Sequence, residues 1–102
     1  DTVARLQAFE SAGADVLFAP GLRTTREIAQ VREAVSRPLN VLAVPGLSFS
    51  EIVAAGAQRV SVGGRLTLVA VKAMTEVAES MRDTGELSGL AAPPPAPEWL
   101  SD

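Results

Sequence analysis

Three stretches decide the fold: AGADVLFAPGL at residues 12–22, PLNVLAVPGL at 38–47 and AGAQRVSVGG at 55–64. Each holds a short apolar or β-branched run that ends in a glycine turn. The runs at 15–19, 39–44 and 59–62 are too short for helices. They also lack the strict polar alternation of a sheet with one wet face. Both features predict strands of a parallel sheet, buried on both sides. The stretches also repeat one another. Ala-Gly-Ala precedes the first and third runs, and Pro-Gly-Leu follows the first and second.

Helical patterns fill the gaps. In 2–12, Val3, Leu6 and Phe9 lie three apart, and Gly13 stops the helix. Thr24 and Glu27 have the spacing of a capping box, as do Ser48 and Glu51. Ile28, Val31 and Val35 then form one apolar face, which Pro38 closes. Phe49, Ile52, Val53 and Gly56 share a face of the next, shorter helix. A long helix is expected over about 66–82, ended by Gly85. Its stripe of Leu66, Val69, Ala70, Ala73, Met74, Val77 and Met81 is expected in the core. Leu68, Val71 and Ala78 add a second apolar edge, expected to meet a partner subunit. Residues 1–85 thus form one structured region. Residues 86–102 form a Pro-rich tail, extended, with Trp99 as its anchor.

The recurring unit is strand, glycine loop, capped helix. Such units run parallel with right-handed crossovers. Three in succession, roughly 25 residues each, favour part of a TIM-type (β/α)8 barrel without excluding a doubly wound sheet. The chain's 102 residues are too few for a whole barrel, which needs roughly 200 or more. All three glycine loops follow the C-terminal ends of strands, the active-site face of a barrel.

Composition narrows the function. The formal charge is −3 with acidic and basic residues interspersed, which argues against nucleic acid. No apolar run approaches the ~18 residues of a membrane span. Cysteine and histidine are both absent, which removes disulfides, the preferred zinc ligands and an imidazole base. A cytoplasmic location is expected.

The stretches RLQAFESAGADVLFAPGL (5–22), VSRPLNVLAVPG (35–46) and AGAQRVSVGG (55–64) resemble strands six to eight of the isocitrate lyase/phosphoenolpyruvate mutase superfamily. The phosphonomutase-like members are the most similar. The resemblance covers about residues 1–85. It implies the last three β/α units of the barrel, in an enzyme that makes or breaks C–C or C–P bonds beside a 2-oxo acid. It further implies a Mg2+ ion that neutralises an enolate-like intermediate, with its ligands on earlier strands that this chain does not contain. It implies a homo-oligomer whose last helix packs on a neighbour. Two positions depart from the lyase pattern. Pro20 stands where lyases carry Glu, and Leu42 where they carry Asn or a similar polar residue. These departures point to a divergent subgroup.

The candidate substrate-binding residues are Arg23, Asn40, Ser61, Gly63, Gly64 and Arg65. Arg23 and Arg65 follow glycine turns, where a guanidinium fork suits a carboxylate or phosphonate; the favoured reading of each is a solvated charge at a helix start. Asn40 and Ser61 alternate with apolar neighbours, and either faces ligand or is a hydrogen-bonded core residue. Gly63-Gly64 before a helix can present amides to an anion, or simply make a tight turn. Asp15 is expected on the stability face, and Glu27 and Glu51 are expected as capping residues. No catalytic residue and no metal ligand is assigned. The favoured expectation is an enzyme portion without turnover of its own. The alternatives are a phosphate-binding portion of another TIM barrel and a non-catalytic module that self-associates through open sheet edges.

Overall fold

A computed structural model describes residues 1–43 and 45–91, in two units, Asp1–Gly63 and Gly64–Asp102. The expected anchor Trp99 and the last residue of the expected strand 39–44, Val44, lie outside the described residues.

The first unit runs α1 (Thr2–Ser11), β1 (Leu17–Phe18), α2 (Thr25–Ala34), β2 (Leu39–Leu42), α3 (Phe49–Ala54) and β3 (Arg59–Ser61). The strands lie side by side in the order β1-β2-β3, all parallel. Leu17 pairs with Leu39 and Phe18 with Asn40; Asn40, Val41 and Leu42 pair with Arg59, Val60 and Ser61. β1 is shorter than the expected 15–19. The Leu17 N–H donates to the carbonyl of Pro38, and Pro38 has no N–H to carry the ladder further back.

Side chains alternate across the sheet. Leu17, Leu39, Val41 and Val60 point to the helices, where they pack with Leu6, Ile28, Val31, Val35, Ile52 and Ala57. Leu17, Leu39, Val41, Ile28 and Ile52 are fully buried. Phe18, Asn40, Leu42 and Ser61 occupy the opposite face. This sheet carries helices on one side and a second, polar-bearing side, the arrangement of a barrel wall.

The Ala-Gly-Ala repeat has a mechanical reason. After α1, Gly13 N–H donates to Glu10 O and Ala14 N–H to Phe9 O; after α3, Gly56 N–H donates to Val53 O and Ala57 N–H to Ile52 O. Both are Schellman caps, with their glycines at φ +99° and +112°. Each turns the chain from helix into strand. α2 has no such glycine and leaves through Val35 in an extended conformation. Side chains take its last carbonyls instead: Gln7 Nε2 donates to Ala34 O, and Arg32 Nη1 to Val35 O and Arg37 O. Both expected capping boxes form, Thr24 with Glu27 and Ser48 with Glu51.

The apolar faces of the helices are covered unevenly. On α3 only Ile52 is buried, and Phe49 is 70 % exposed. A helix of six residues turns too few times to put four positions under one neighbour.

The second unit holds α4 (Arg65–Thr84) and a 3-10 turn (Ser88–Leu90). Gly85 ends α4 in the left-handed region at φ +72°. No residue of α4 is buried, and Leu66 is 69 % exposed, so the second unit by itself gives the stripe expected in the core nothing to pack into. Among the described residues of this unit it meets the 3-10 turn, where a Cβ on Gly89 would lie 3.0 Å from Val77 Cγ1. Among the described residues no helix is long and apolar enough to cross a membrane.

Candidate functional site

Parallel strands end together. The C-terminal ends of β1, β2 and β3 therefore share one rim, and Pro20-Gly21, Pro45-Gly46 and Gly63 follow them. Just below the rim, on the face away from the helices, Asn40 Nδ2 donates to Ser61 Oγ at 3.0 Å. Asn40 is 3 % exposed and Ser61 half-buried. Asn40 Oδ1 is buried without a partner. Leu42 lies above Asn40 on the same face, and its Cδ1 stands 3.4 Å from where a Cβ on Gly63 would be.

Asn40, Ser61 and Gly63 are thus gathered at the ends of β2 and β3. Arg23 sits in the loop after β1 with an exposed side chain. Its backbone N–H donates to Glu27 Oε2 at 2.8 Å. Gly64 and Arg65 open the second unit: Gly64 is the N-cap of α4, without a side-chain cap, and Arg65 is exposed. Asp15 lies in an exposed bend before β1, at the end opposite the rim. Glu27 and Glu51 act as caps. Amides of Arg23 and Thr24 and the Thr24 hydroxyl hold Glu27 below the ordinary carboxylate pKa, and the Ser48 hydroxyl and amide do the same for Glu51. Such groups are fixed anions near neutral pH, unsuited to proton transfer.

The Phosphoenolpyruvate phosphomutase family matches residues 1–82. This chain belongs to the phosphoenolpyruvate mutase/isocitrate lyase superfamily. An uncharacterized Mycobacterium tuberculosis protein is 30 % identical over 86 residues, covering 84 % of this chain and 33 % of that protein. A candidate lyase/mutase of Burkholderia cenocepacia is 45 % identical, with a TM-score of 0.85 over 93 % of this chain and 36 % of its own. Oxaloacetate acetylhydrolase in complex with the product oxalate is 25 % identical, with a TM-score of 0.76 over 85 % of this chain and 32 % of its own. 2,3-Dimethylmalate lyase, a member of the same superfamily, is 26 % identical, with a TM-score of 0.73 over 96 % of this chain and 35 % of its own. The chain spans about a third of the length of the relatives it matches.

As a member of this superfamily, the chain has the expected α/β fold with parallel strands. A groove of about 520 Å³ lies elsewhere: between α1 and the start of α2, lined by Leu6, Phe9, Phe18, Pro20 and Leu22 among others. None of the six candidate binding residues lines it. Three further polar anchors carried no local signal in the sequence. Glu10 accepts from Ser36 N–H, Ser36 Oγ–H and Arg37 N–H at 3.0, 2.5 and 2.7 Å, which ties α1 to the turn before β2. Gln58 Oε1 accepts from Leu39 N–H at 2.8 Å and starts the β2–β3 ladder. Arg32 closes α2. Only the fold brings Glu10 and Gln58 to their partners; Glu10 and Ser36, for example, are 26 positions apart. Among the described residues, no three His, Cys, Asp or Glu side chains converge to hold a metal ion.

Proposed function

We propose that this chain forms the last three β/α units of a (β/α)8 barrel in a phosphonomutase- or isocitrate-lyase-like enzyme. The whole enzyme acts on C–C or C–P bonds of 2-oxo-acid-related substrates. The observation that carries this reading is the parallel sheet with its glycine loops on one rim, in a chain of this superfamily. Relatives that handle oxaloacetate and oxalate, or cleave dimethylmalate, support the substrate class. Arg23, Asn40, Ser61, Gly63, Gly64 and Arg65 are the residues proposed to face substrate. Pro20 and Leu42 stand at rim positions where lyases carry polar groups, which favours a divergent substrate within that class.

Mg2+ belongs to the proposed whole enzyme, where it stabilises oxyanion charge. The described side chains do not fit it, since no carboxylate cluster forms. Its ligands are therefore assigned outside this stretch, and the 102-residue chain is proposed to have no turnover. The exposed apolar positions of α4, with Leu68 and Val71 prominent and Ala78 beside them, are proposed to pack on a neighbouring subunit of a homo-oligomer. The test is an assay of the chain with Mg2+ and phosphonopyruvate, oxaloacetate or methylisocitrate. Turnover by these residues alone refutes the assignment of the chemistry to other strands.

A further inference from the structure

We propose that Asn40 is a positioning residue that fixes Ser61 as a hydrogen-bond donor toward an anionic oxygen of the ligand. This rests on the reading that the strand face below the rim meets substrate.

Asn40 is the buried polar residue of the first unit, 3 % exposed, and its amide meets Ser61 Oγ at 3.0 Å. The amide has two possible orientations. In the observed one Nδ2 donates to Ser61 and Oδ1 is buried without a partner. The reversed one would pair the oxygen with Ser61 and leave an NH2 group, with two donors, buried and unmatched. The observed orientation leaves Oδ1 and one N–H unmatched and the reversed one both N–H groups; an orphan carbonyl oxygen is tolerated better than an orphan N–H, so the observed orientation is preferred. A serine hydroxyl has one donor and two acceptor lone pairs. With Nδ2 filling a lone pair, the hydroxyl hydrogen is left for another acceptor. No described hydrogen bond uses it, and Ser61 is half-buried at the last position of β3, next to the rim. Asn40 lies deeper in its strand than Leu42 and is itself too buried to meet a ligand. Its effect passes through Ser61. The polarity follows: the hydroxyl hydrogen is the group left free to point at the ligand, and carboxylate or phosphonate oxygens, which only accept, suit it.

The experiment uses the 102-residue chain, oxalate as the probe, and the amide NMR shifts of residues 61–63 as the readout. Asn40→Leu keeps the branching at Cγ without polar atoms and removes the unpaired Oδ1, so it retains the fold, with a urea midpoint close to that of the unmodified chain. It is expected to weaken oxalate binding about fivefold, and Ser61→Ala about tenfold. Asn40→Leu on top of Ser61→Ala adds less than about twofold, because the residue acts through the hydroxyl. Asn40→Asp takes the hydroxyl hydrogen for its own carboxylate and falls near the Ser61→Ala level. If Asn40→Leu leaves affinity unchanged, or weakens it equally with and without Ser61, the positioning role fails while the rim site stands. If oxalate shifts nothing at residues 61–63 in the unmodified chain, the binding face and the positioning role fall together.

Discussion

Gly56→Ala tests the packing of the first unit at its tightest point, and Gly13→Ala provides the matched control. Both glycines complete Schellman caps, at φ +112° and +99°. Alanine in either place pays for left-handed backbone at about 1–2 kcal/mol. A Cβ on Gly13 meets nothing within 4 Å, whereas one on Gly56 lies 2.6 Å from Arg32 Cγ and 3.1 Å from Arg32 Cβ. Those atoms are the root of the arginine, not its flexible end, so the side chain must leave its rotamer at about 0.5–1.5 kcal/mol. It then releases Val35 O and Arg37 O, held at 2.9 and 3.2 Å, which removes about 0.5–1.5 kcal/mol for each bond. The expected losses are about 1–2 kcal/mol for Gly13→Ala and about 3–5 kcal/mol for Gly56→Ala, a large part of the stability of a small domain. Urea unfolding followed by helix circular dichroism measures both. In an Arg32→Ala background, which removes Cγ but keeps Cβ at 3.1 Å, the cost of Gly56→Ala is expected to drop most of the way to that of Gly13→Ala. Equal costs for the two glycines in the unmodified chain, or a Gly56→Ala cost indifferent to Arg32, would refute the account.

Two further outcomes are expected. Glu10 is held below the ordinary value of 4.5, first by the Ser36 hydroxyl and then by the amides of Arg37 and Ser36; Glu27 and Glu51 are lowered as well. A carboxyl whose pKa falls on folding stabilises above its unfolded pKa and loses that contribution as pH drops through the folded value. The urea midpoint is therefore steady above pH 4.5 and declines below it, and Glu10→Gln, which has a lower midpoint near neutrality, declines less; an identical acid profile for the two proteins would count against the clamp. Ile28→Ala, at a fully buried position, is expected to cost about 2–5 kcal/mol, while Phe49→Ala, 70 % exposed, stays within about 0.5 kcal/mol; comparable losses in urea unfolding would contradict the assignment of the core.

The local grammar of the chain was readable from the sequence. Capping boxes join residues three apart, Schellman glycines act on the four residues before them, and a β-branched run among Gly and Pro has few other conformations. The helices, the parallel strands and the common rim followed from these short-range rules. Long-range polar contacts did not, because Glu10 and Gln58 look like ordinary surface residues until folding places backbone groups beside them. Apolar periodicity also overreached. It marks which residues of a helix share a face but not whether anything covers that face: on α3 only Ile52 is buried, and the second unit gives the α4 stripe no core of its own. At the candidate site, Asn40 and Ser61 stood out as polar residues inside apolar runs; their mutual hydrogen bond depended on a strand register fixed only by the sheet.

β2 alternates between two chemical duties at a spacing of one residue. Leu39 and Val41 anchor the helical layer, while Asn40 and Leu42 turn to the other side. Selection can therefore rewrite every second letter of the strand for a new substrate without touching the letters that keep it folded. A one-letter insertion would exchange the two sets and ruin both duties at once. Diversification in such a strand is expected to proceed by substitution, with its length held constant.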